Sequence, residues 1–171
     1  MQLARYLKED RISLDIAEGI DLEPPEGEDE PTSRQIEGAK QEILRRLVDL
    51  LGKSDRVSNA SKLFNDLWNR EKRATMALGR GVALPHVRTM QAKDLVMAVG
   101  MAHDGVPWDA PDGEPVKLFF AIVAPPYEDK TYLRLYQAIG RMFEEQEGSG
   151  ERLLEARSAG EVIRILGELW S

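Results

Sequence analysis

Cysteine is absent from this chain of 171 residues, and histidine occurs only twice. The absence of thiols excludes a disulfide framework, a thiolate metal site and catalysis by cysteine. The longest apolar run, Leu118 to Ala124, is far shorter than the ~20 residues that a membrane-spanning helix needs. The first residues also lack the charged and then apolar order of a signal peptide. We therefore expect a cytoplasmic protein that does not insert into a membrane.

Basic residues are fewer than acidic ones, 23 against 30, and the formal net charge is −7. An acidic balance argues against general binding of nucleic acid and favours partners that present a basic face. The two histidines, His86 and His103, lie far apart in the sequence, and no other residues have the spacing of metal ligands. We predict neither a metal nor a cofactor, and we interpret His103 as a surface turn residue.

Strand and helix signals alternate along the chain, and its length predicts one domain, residues 1–171, with a sizeable core. Helical patterns lie at residues 1–8, 32–52, 58–72, 130–144, 151–156 and 158–169. Strand patterns lie at 11–15, 82–84, 95–102 and 116–124, with turns at 104–108 and 111–113. This interleaving predicts an α/β (α+β) fold, a three-layer α/β/α sandwich with a mixed central sheet.

Two of these segments carry more detailed predictions. The segment 116–124 is nearly all apolar, which predicts a central strand covered on both faces. For the helix at 130–144 we expect an inward face of Leu133, Tyr136, Ile139, Gly140 and Phe143.

An acidic segment separates the first strand from the first long helix. Residues 18–30 contain seven acidic side chains and no basic one, and Pro24, Pro25 and Gly27 oppose regular structure. We predict an exposed, mobile loop inserted at about residues 18–34. It is either a solvated insertion or an electrostatic arm for a basic partner.

One stretch places a histidine at the exit of a short strand. Gly79 and Gly81 precede the apolar residues Val82-Ala83-Leu84, and Pro85 then ends the strand directly before His86. Proline fixes the backbone, so the imidazole is aimed by rigid geometry. Nearby glycines and cations suit a phosphate or another anion. A lone histidine after a proline is most often only a turn residue with a satisfied hydrogen bond.

The same stretch resembles the phosphohistidine signature of type-2 IIA domains of the bacterial phosphotransferase system, the mannitol/fructose and nitrogen-regulatory IIA proteins. The family pattern is an acidic or amide residue, six free positions, an apolar-Gly pair, two free positions, and apolar-Ala-apolar-Pro-His. This chain matches it with Glu71, Leu78-Gly79 and Val82-Ala83-Leu84-Pro85-His86. The position after the histidine is normally small, and here it is Val87.

The resemblance implies roles for several residues. His86 would accept a phosphoryl group from phosphorylated HPr on the ring nitrogen farther from the backbone, and would pass it to a IIB domain. Arg70 lies at the position of a family arginine and would bind the phosphoryl oxygens; alternatively, it is an exposed arginine at a helix end. Arg88 is a weaker candidate for phosphate binding. Thr131 lies near the start of a helix whose backbone N–H groups could face an anion.

Tyr132 departs from the family. Many members carry a second histidine in a Lys-Thr-His-Leu run, and the run here is Lys130-Thr131-Tyr132-Leu133. A tyrosine can donate a hydrogen bond to a phosphoryl oxygen, but it cannot shuttle a proton near neutral pH. Three hypotheses follow: a phosphocarrier that serves a sugar-specific IIB, a regulatory protein that is switched at His86, or a phosphorylation-dead binding module.

Overall fold

The computed structural model describes residues 5–170. The strands are β1 (Ile12–Ser13), β2 (Ala77–Gly79), β3 (Val82–Ala83), β4 (His86–Arg88), β5 (Val96–Val106) and β6 (Val116–Ala124). The helices are α1 (Ser33–Gly52), α2 (Ala60–Arg73), α3 (Lys130–Glu145), α4 (Ser149–Leu154) and α5 (Ala159–Leu169). The helix predicted at 1–8 lies partly outside the described residues, and a 3-10 turn at Glu9–Arg11 precedes β1. No helix within residues 5–170 is long and apolar enough to cross a bilayer.

The strands form a mixed sheet around β6. Its order is β1-β5-β6-β3-β2, and β4 also pairs with β6. β5 runs antiparallel to β6, whereas β3 and β4 run parallel to it. One apolar cluster joins the sheet to α3, α4 and α5, and a second joins its other face to α1 and α2. The predicted three-layer sandwich with a mixed sheet is confirmed, and β6 is buried on both faces as expected.

Side-chain caps fix where the two helices of one layer begin. The Thr32 hydroxyl accepts a hydrogen bond from the backbone of Gln35, whose side chain in turn accepts one from the backbone of Thr32. Asn59 caps α2 through the N–H of Lys62. Such caps contribute about 1 kcal/mol each. α2 ends at Arg73, where the backbone N–H of Ala74 donates to the carbonyl of Arg70.

β3 ends before Pro85, as predicted, but a new strand begins directly after the proline and pairs with the same neighbour, β6. β3 pairs Val82 with Leu118 and Ala83 with Phe119. β4 resumes at His86, which pairs with Ile122 in the same register. Proline has no N–H to donate to the ladder, but the carbonyl of Pro85 still accepts the backbone N–H of Ile122 at 2.9 Å. His86 is therefore the first residue of a resumed strand.

β5 is longer than its sequence pattern indicates. It continues through the predicted turn to Val106, and its pairing with β6 changes register between Met101 and Val106. Gly105 has φ +79°, which fits an irregularity within the strand. His103 thus lies on a strand and not in a turn, and its Nε2 lies 2.8 Å from the carbonyl oxygen of Leu154.

The inward face of α3 is rotated relative to the prediction. Its buried residues are Tyr132, Leu135, Ile139, Met142 and Phe143. Leu133, which was expected inside, is 49% exposed, whereas Tyr132 is only 6% exposed. Both assignments obey helical periodicity, and the aromatic ring takes the buried position because it removes the larger apolar area from water.

The acidic segment has no helix or strand, and residues 25–30 are all exposed. Its first half is attached to the domain. Ile20 and Leu22 pack against the apolar cluster under α1, and the carbonyl of Glu23 accepts a hydrogen bond of 2.8 Å from the side chain of Gln35. Most of residues 18–30 are exposed, as predicted, and Ile20 and Leu22 are the side chains that attach the segment to the domain. That the segment is an insertion and mobile stays a prediction.

Candidate functional site

His86 opens β4 with one of its ring nitrogens already engaged. Its Nδ1 lies 2.6 Å from the carbonyl oxygen of Leu84. A carbonyl only accepts hydrogen bonds, so this contact assigns the ring hydrogen to Nδ1 and leaves the lone pair on Nε2. The backbone N–H of His86 donates to the sulfur of Met76 at 3.3 Å. The imidazole is therefore held in one orientation and one tautomer.

The surroundings of His86 favour its neutral form. Burial lowers the pKa of the imidazole from its usual 6.5, and the nearby charge of Arg70 lowers that pKa further. The hydrogen bond to Leu84 opposes both effects, but the net shift is downward. A neutral imidazole near pH 7 keeps its lone pair free for nucleophilic attack.

An open hollow of about 450 Å³ lies over the imidazole at the carboxyl end of β6. It is lined by Arg70, His86, Val87, Arg88, Pro126 and Tyr132. Its two arginines come from the end of α2 and the end of β4, which are far apart in sequence. The structure thus brings four of the five predicted site residues together around one space.

Arg70 reaches the hollow from the last turn of α2. One turn earlier, the carboxylate of Asp66 accepts a hydrogen bond of 2.6 Å from the hydroxyl of Thr89. Thr89 is buried, and its backbone N–H donates to the carbonyl of Ala124 at the end of β6. This connection fixes α2 against the strand that carries His86, and it therefore fixes the position of Arg70.

Arg88 is already paired. Its guanidinium forms an ion pair with the carboxylate of Asp129, which precedes α3. It also lies 5.6 Å from the ring centre of Tyr132. Both members of the pair are substantially exposed, with 43% and 59% of their side-chain surface accessible. An exposed pair of this kind is weak, so an arriving anion can compete with Asp129 for the guanidinium.

Tyr132 lies beneath this pair. Burial raises its pKa to about 12, although the charges of Arg88 and Arg70 act in the opposite direction. The hydroxyl is therefore neutral across the physiological range. The ring centre of Tyr132 lies 6.0 Å from that of His86. Thr131 is half-buried in the first turn of α3 and is not among the residues that line the hollow.

Three residues of the site were missed by sequence reasoning. The ring of Tyr136 packs on the imidazole, with centroids 4.6 Å apart, and Asp129 and Asp66 hold the two arginine-bearing elements. Tyr136 follows Tyr132 by four residues, so a helix places both rings on one face, and this spacing could have revealed it. No local pattern pointed to the two aspartates.

Arg80 and His103 lie away from the hollow. Arg80 donates to the carbonyls of Phe143 and Glu144 at the end of α3, and so it stabilises a helix terminus. His103 contacts the carbonyl of Leu154. At this hollow the structure thus places one imidazole, with an unengaged ring nitrogen, together with the guanidinium groups of Arg70 and Arg88. This arrangement suits the acceptance of a negatively charged group.

Comparison with known proteins agrees with the motif. The family described as "Phosphoenolpyruvate-dependent sugar phosphotransferase system, EIIA 2" matches residues 32–168. A fructose-specific EIIA component of Haloferax volcanii is 31% identical over 130 residues, 76% of this chain and 84% of that protein. The fructose-specific EIIABC component of Bacillus subtilis is 27% identical over 129 residues, and the match covers 75% of this chain but only 20% of that longer protein.

Solved structures show the same fold. The nitrogen regulatory protein IIA-Ntr of Neisseria meningitidis superposes with a TM-score of 0.77 at 27% identity, covering 97% of this chain and 99% of its own. The mannitol IIA of Escherichia coli, solved in complex with phosphorylated IIB, gives a TM-score of 0.68 at 18% identity over 95% of this chain and 97% of that one. On the motif, the fold and the match across 32–168, the chain belongs to the type-2 EIIA family of the phosphoenolpyruvate-dependent sugar phosphotransferase system.

Proposed function

We propose that the protein is a phosphocarrier in which His86 accepts a phosphoryl group from a phosphorylated HPr-like protein and passes it to a IIB partner or uses it as a regulatory signal. The observation that carries this proposal is that one ring nitrogen of His86 is hydrogen-bonded and the other is not. Nδ1 is held 2.6 Å from the carbonyl of Leu84, and Nε2 is left free beside Arg70 and Arg88.

The transfer step balances without a cofactor. The lone pair on Nε2 attacks phosphorus, and the bond from phosphorus to the donor's imidazole nitrogen breaks with its electron pair returning to that nitrogen. The ring of His86 keeps its hydrogen on Nδ1, where the carbonyl of Leu84 stabilises the developing positive charge. Arg70 supports the phosphoryl oxygens, since a guanidinium matches them with two parallel donors.

The relatives support this assignment. Type-2 IIA domains work with IIB partners, and one structural neighbour is a complex of mannitol IIA with phosphorylated IIB. The printed roles of the relatives divide between sugar-specific and nitrogen-regulatory proteins. An acidic chain also suits a donor that presents a basic docking face.

A specific observation favours the regulatory alternative. Tyr132 stands where many relatives carry a second histidine, and it is buried and neutral with a pKa of about 12. It can donate a hydrogen bond but cannot move a proton at physiological pH. Onward transfer to a IIB is the step that this substitution would slow, whereas acceptance on His86 does not require it.

Intact-mass spectrometry tests the proposal. Purified protein incubated with phosphoenolpyruvate, enzyme I and HPr should gain one acid-labile phosphoryl group, ~80 Da on a histidine nucleophile. His86→Ala should abolish the gain, whereas His103→Ala, which removes the only other histidine, should retain it. No gain in the unmodified protein would leave only the binding module, and a gain that survives His86→Ala would show that the site is elsewhere.

A further inference from the structure

The signature residue Glu71 does not line the hollow at His86, and its charge is buried. It directly follows Arg70 in α2 and is only 4% exposed. Burial of a carboxylate costs free energy unless its oxygens are hydrogen-bonded or paired with a cation. The partners of Glu71 therefore indicate its structural role.

The two oxygens of Glu71 have different partners. Oε1 accepts hydrogen bonds from the backbone N–H of Met76 at 3.0 Å and from the indole N–H of Trp108 at 2.8 Å. Oε2 accepts no hydrogen bond within the described residues, and the ammonium of Lys40 balances it at 3.3 Å. Lys40 is itself buried and also lies 3.5 Å from the carboxylate of Asp109. Glu71 thus connects α1 and the segment after β5 to the residue that precedes β2.

Met76 carries this connection to the histidine. Its carbonyl accepts the backbone N–H of Leu84 at 2.9 Å, and its sulfur accepts the backbone N–H of His86 at 3.3 Å. Leu84 then presents its own carbonyl to Nδ1 of His86 at 2.6 Å. Met76 therefore holds the residues on both sides of Pro85, where the pairing of the strand with β6 is interrupted.

We propose that Glu71 is a positioning residue for His86: its buried carboxylate fixes Met76, and Met76 fixes Leu84 and His86 so that the ring hydrogen stays on Nδ1 and Nε2 stays free. The stretch needs this support because Pro85 cannot donate to the sheet. Pro85 keeps a contact to β6 through its carbonyl, which accepts the backbone N–H of Ile122 at 2.9 Å, and Met76 holds Leu84 and His86 from the opposite edge of the strand.

The tautomer of His86 is the decisive readout, because a residue that only stabilises the fold would not change it. Nitrogen-15 NMR above the pKa of the imidazole gives the ratio of the Nδ1–H form to the Nε2–H form in the whole protein. Glu71→Ala should reduce this ratio, and lower the rate of phosphorylation by HPr, by about tenfold or more, the size of effect known for outer-shell partners of metal-ligating histidines. Glu71→Gln keeps an oxygen that can accept hydrogen bonds from Met76 and Trp108, so its tautomer ratio should lie within about twofold of the wild-type ratio.

Glu37→Ala is the matched control. Glu37 is an exposed carboxylate on α1 that lines the same surface hollow as Glu71 and Lys40, and its loss should leave the ratio unchanged. If Glu71→Ala does not fold, Met76→Leu replaces it, since this change deletes the sulfur acceptor while nearly conserving volume. It should also lower the ratio.

A folded Glu71→Ala or Met76→Leu protein with the wild-type ratio would overturn the proposal. The rate measurement rests on the proposed phosphocarrier function, but the tautomer ratio does not. An unmodified protein that HPr fails to phosphorylate would therefore refute the function, while the ratio would still decide the role of Glu71.

Discussion

Arg88 and Asp129 form an ion pair at the rim of the hollow that holds His86. The arginine ends β4, and the aspartate directly precedes α3, so the pair joins the sheet to one helical layer. A phosphoryl group on Nε2 would introduce negative charge beside this carboxylate. Asp129 therefore occupies the guanidinium of Arg88, which could otherwise bind the incoming phosphoryl group.

Asp129→Asn should increase the rate at which His86 is phosphorylated, because it frees Arg88 and removes a like charge. The expected gain is about two- to fivefold, which corresponds to the ~1 kcal/mol or less of an exposed ion pair. Rapid-quench assays with phosphorylated HPr measure it. Glu128→Gln removes the same charge one residue earlier, where no ion pair forms among the described residues, and an equal gain there would refute a specific role for Asp129.

Arg70→Ala should slow phosphorylation of His86 by about 10- to 100-fold, the range that the loss of a hydrogen bond to a charged group implies. Arg73→Ala is the control, since Arg73 lies in the same last turn of α2 but does not line the hollow. The same rapid-quench assay applies. Equal effects of the two substitutions would indicate general electrostatic attraction of the donor and not phosphate binding by Arg70.

The position of Tyr132 should affect onward transfer more than acceptance. Tyr132→His restores the side chain that many relatives carry, and it should raise the rate of transfer to a IIB partner severalfold, within the 10²- to 10⁴-fold ceiling for general acid–base help. Tyr132→Phe keeps the buried ring and removes only the hydroxyl. If Tyr132→His leaves the transfer rate unchanged in single-turnover assays, this position does not limit the reaction.

The pH dependence should follow the lowered pKa of His86. A proton NMR titration should place this pKa below 6.5, the value of an unperturbed histidine, and a peptide of residues 82–90 supplies the unfolded reference. Between the two values the unfolded chain binds a proton that the folded chain does not. The contribution of His86 to stability is thus present above pH 6.5 and is lost as the pH falls toward the lowered pKa.

This linkage can be checked by denaturant unfolding at several pH values. His86→Gln should flatten the decline in the free energy of unfolding below pH 6.5. Arg70→Ala should make the decline smaller, since the charge of Arg70 contributes to the lowered pKa of His86. A decline of the same size in His86→Gln would assign it to other groups.

Thr89→Val should reduce the free energy of unfolding by about 1–3 kcal/mol, because it leaves the carboxylate of Asp66 without its hydrogen-bond donor. It should also slow phosphorylation, since Asp66 and Thr89 hold the helix that carries Arg70. Ser54→Ala is a suitable comparison: Ser54 likewise donates from its hydroxyl, to the carbonyl of Leu51, but it follows α1 and does not line the hollow. A loss of stability without a loss of rate in Thr89→Val would separate the two roles.

The elements with strong local signals were predicted well. The continuous apolar run predicted the bounds of β6, and α1 and α2 begin within two residues of their predicted starts at 32 and 58. Predictions failed where two patterns competed. Asp104-Gly105 is typical of a turn, yet the pairing of β5 with β6 absorbs it as an irregularity. On α3, adjacent Tyr132 and Leu133 offered two possible inward faces, and only packing against the sheet selected one.

For the candidate site, the motif identified His86 and Arg70, and the structure places both at one hollow. Their roles in phosphate binding stay predictions. The carbonyl that orients the imidazole, the partner of Arg88 and the ring of Tyr136 depend on contacts between distant segments. Local periodicity does not encode such contacts, so the sequence indicated the chemistry of the site more fully than its supporting structure.

The break at Pro85 has a consequence for chain length. β3 and β4 keep one register along β6, so Val82, Leu84 and His86 project from the same face, and Ala83 and Val87 from the opposite one. Adding or deleting a single residue between Ala83 and His86 would exchange the two faces. The imidazole would then point toward the α1 layer, and valine would take its place under the tyrosines. The exposed residues 25–30 can change in number, but the dipeptide Leu84-Pro85 can change only in kind.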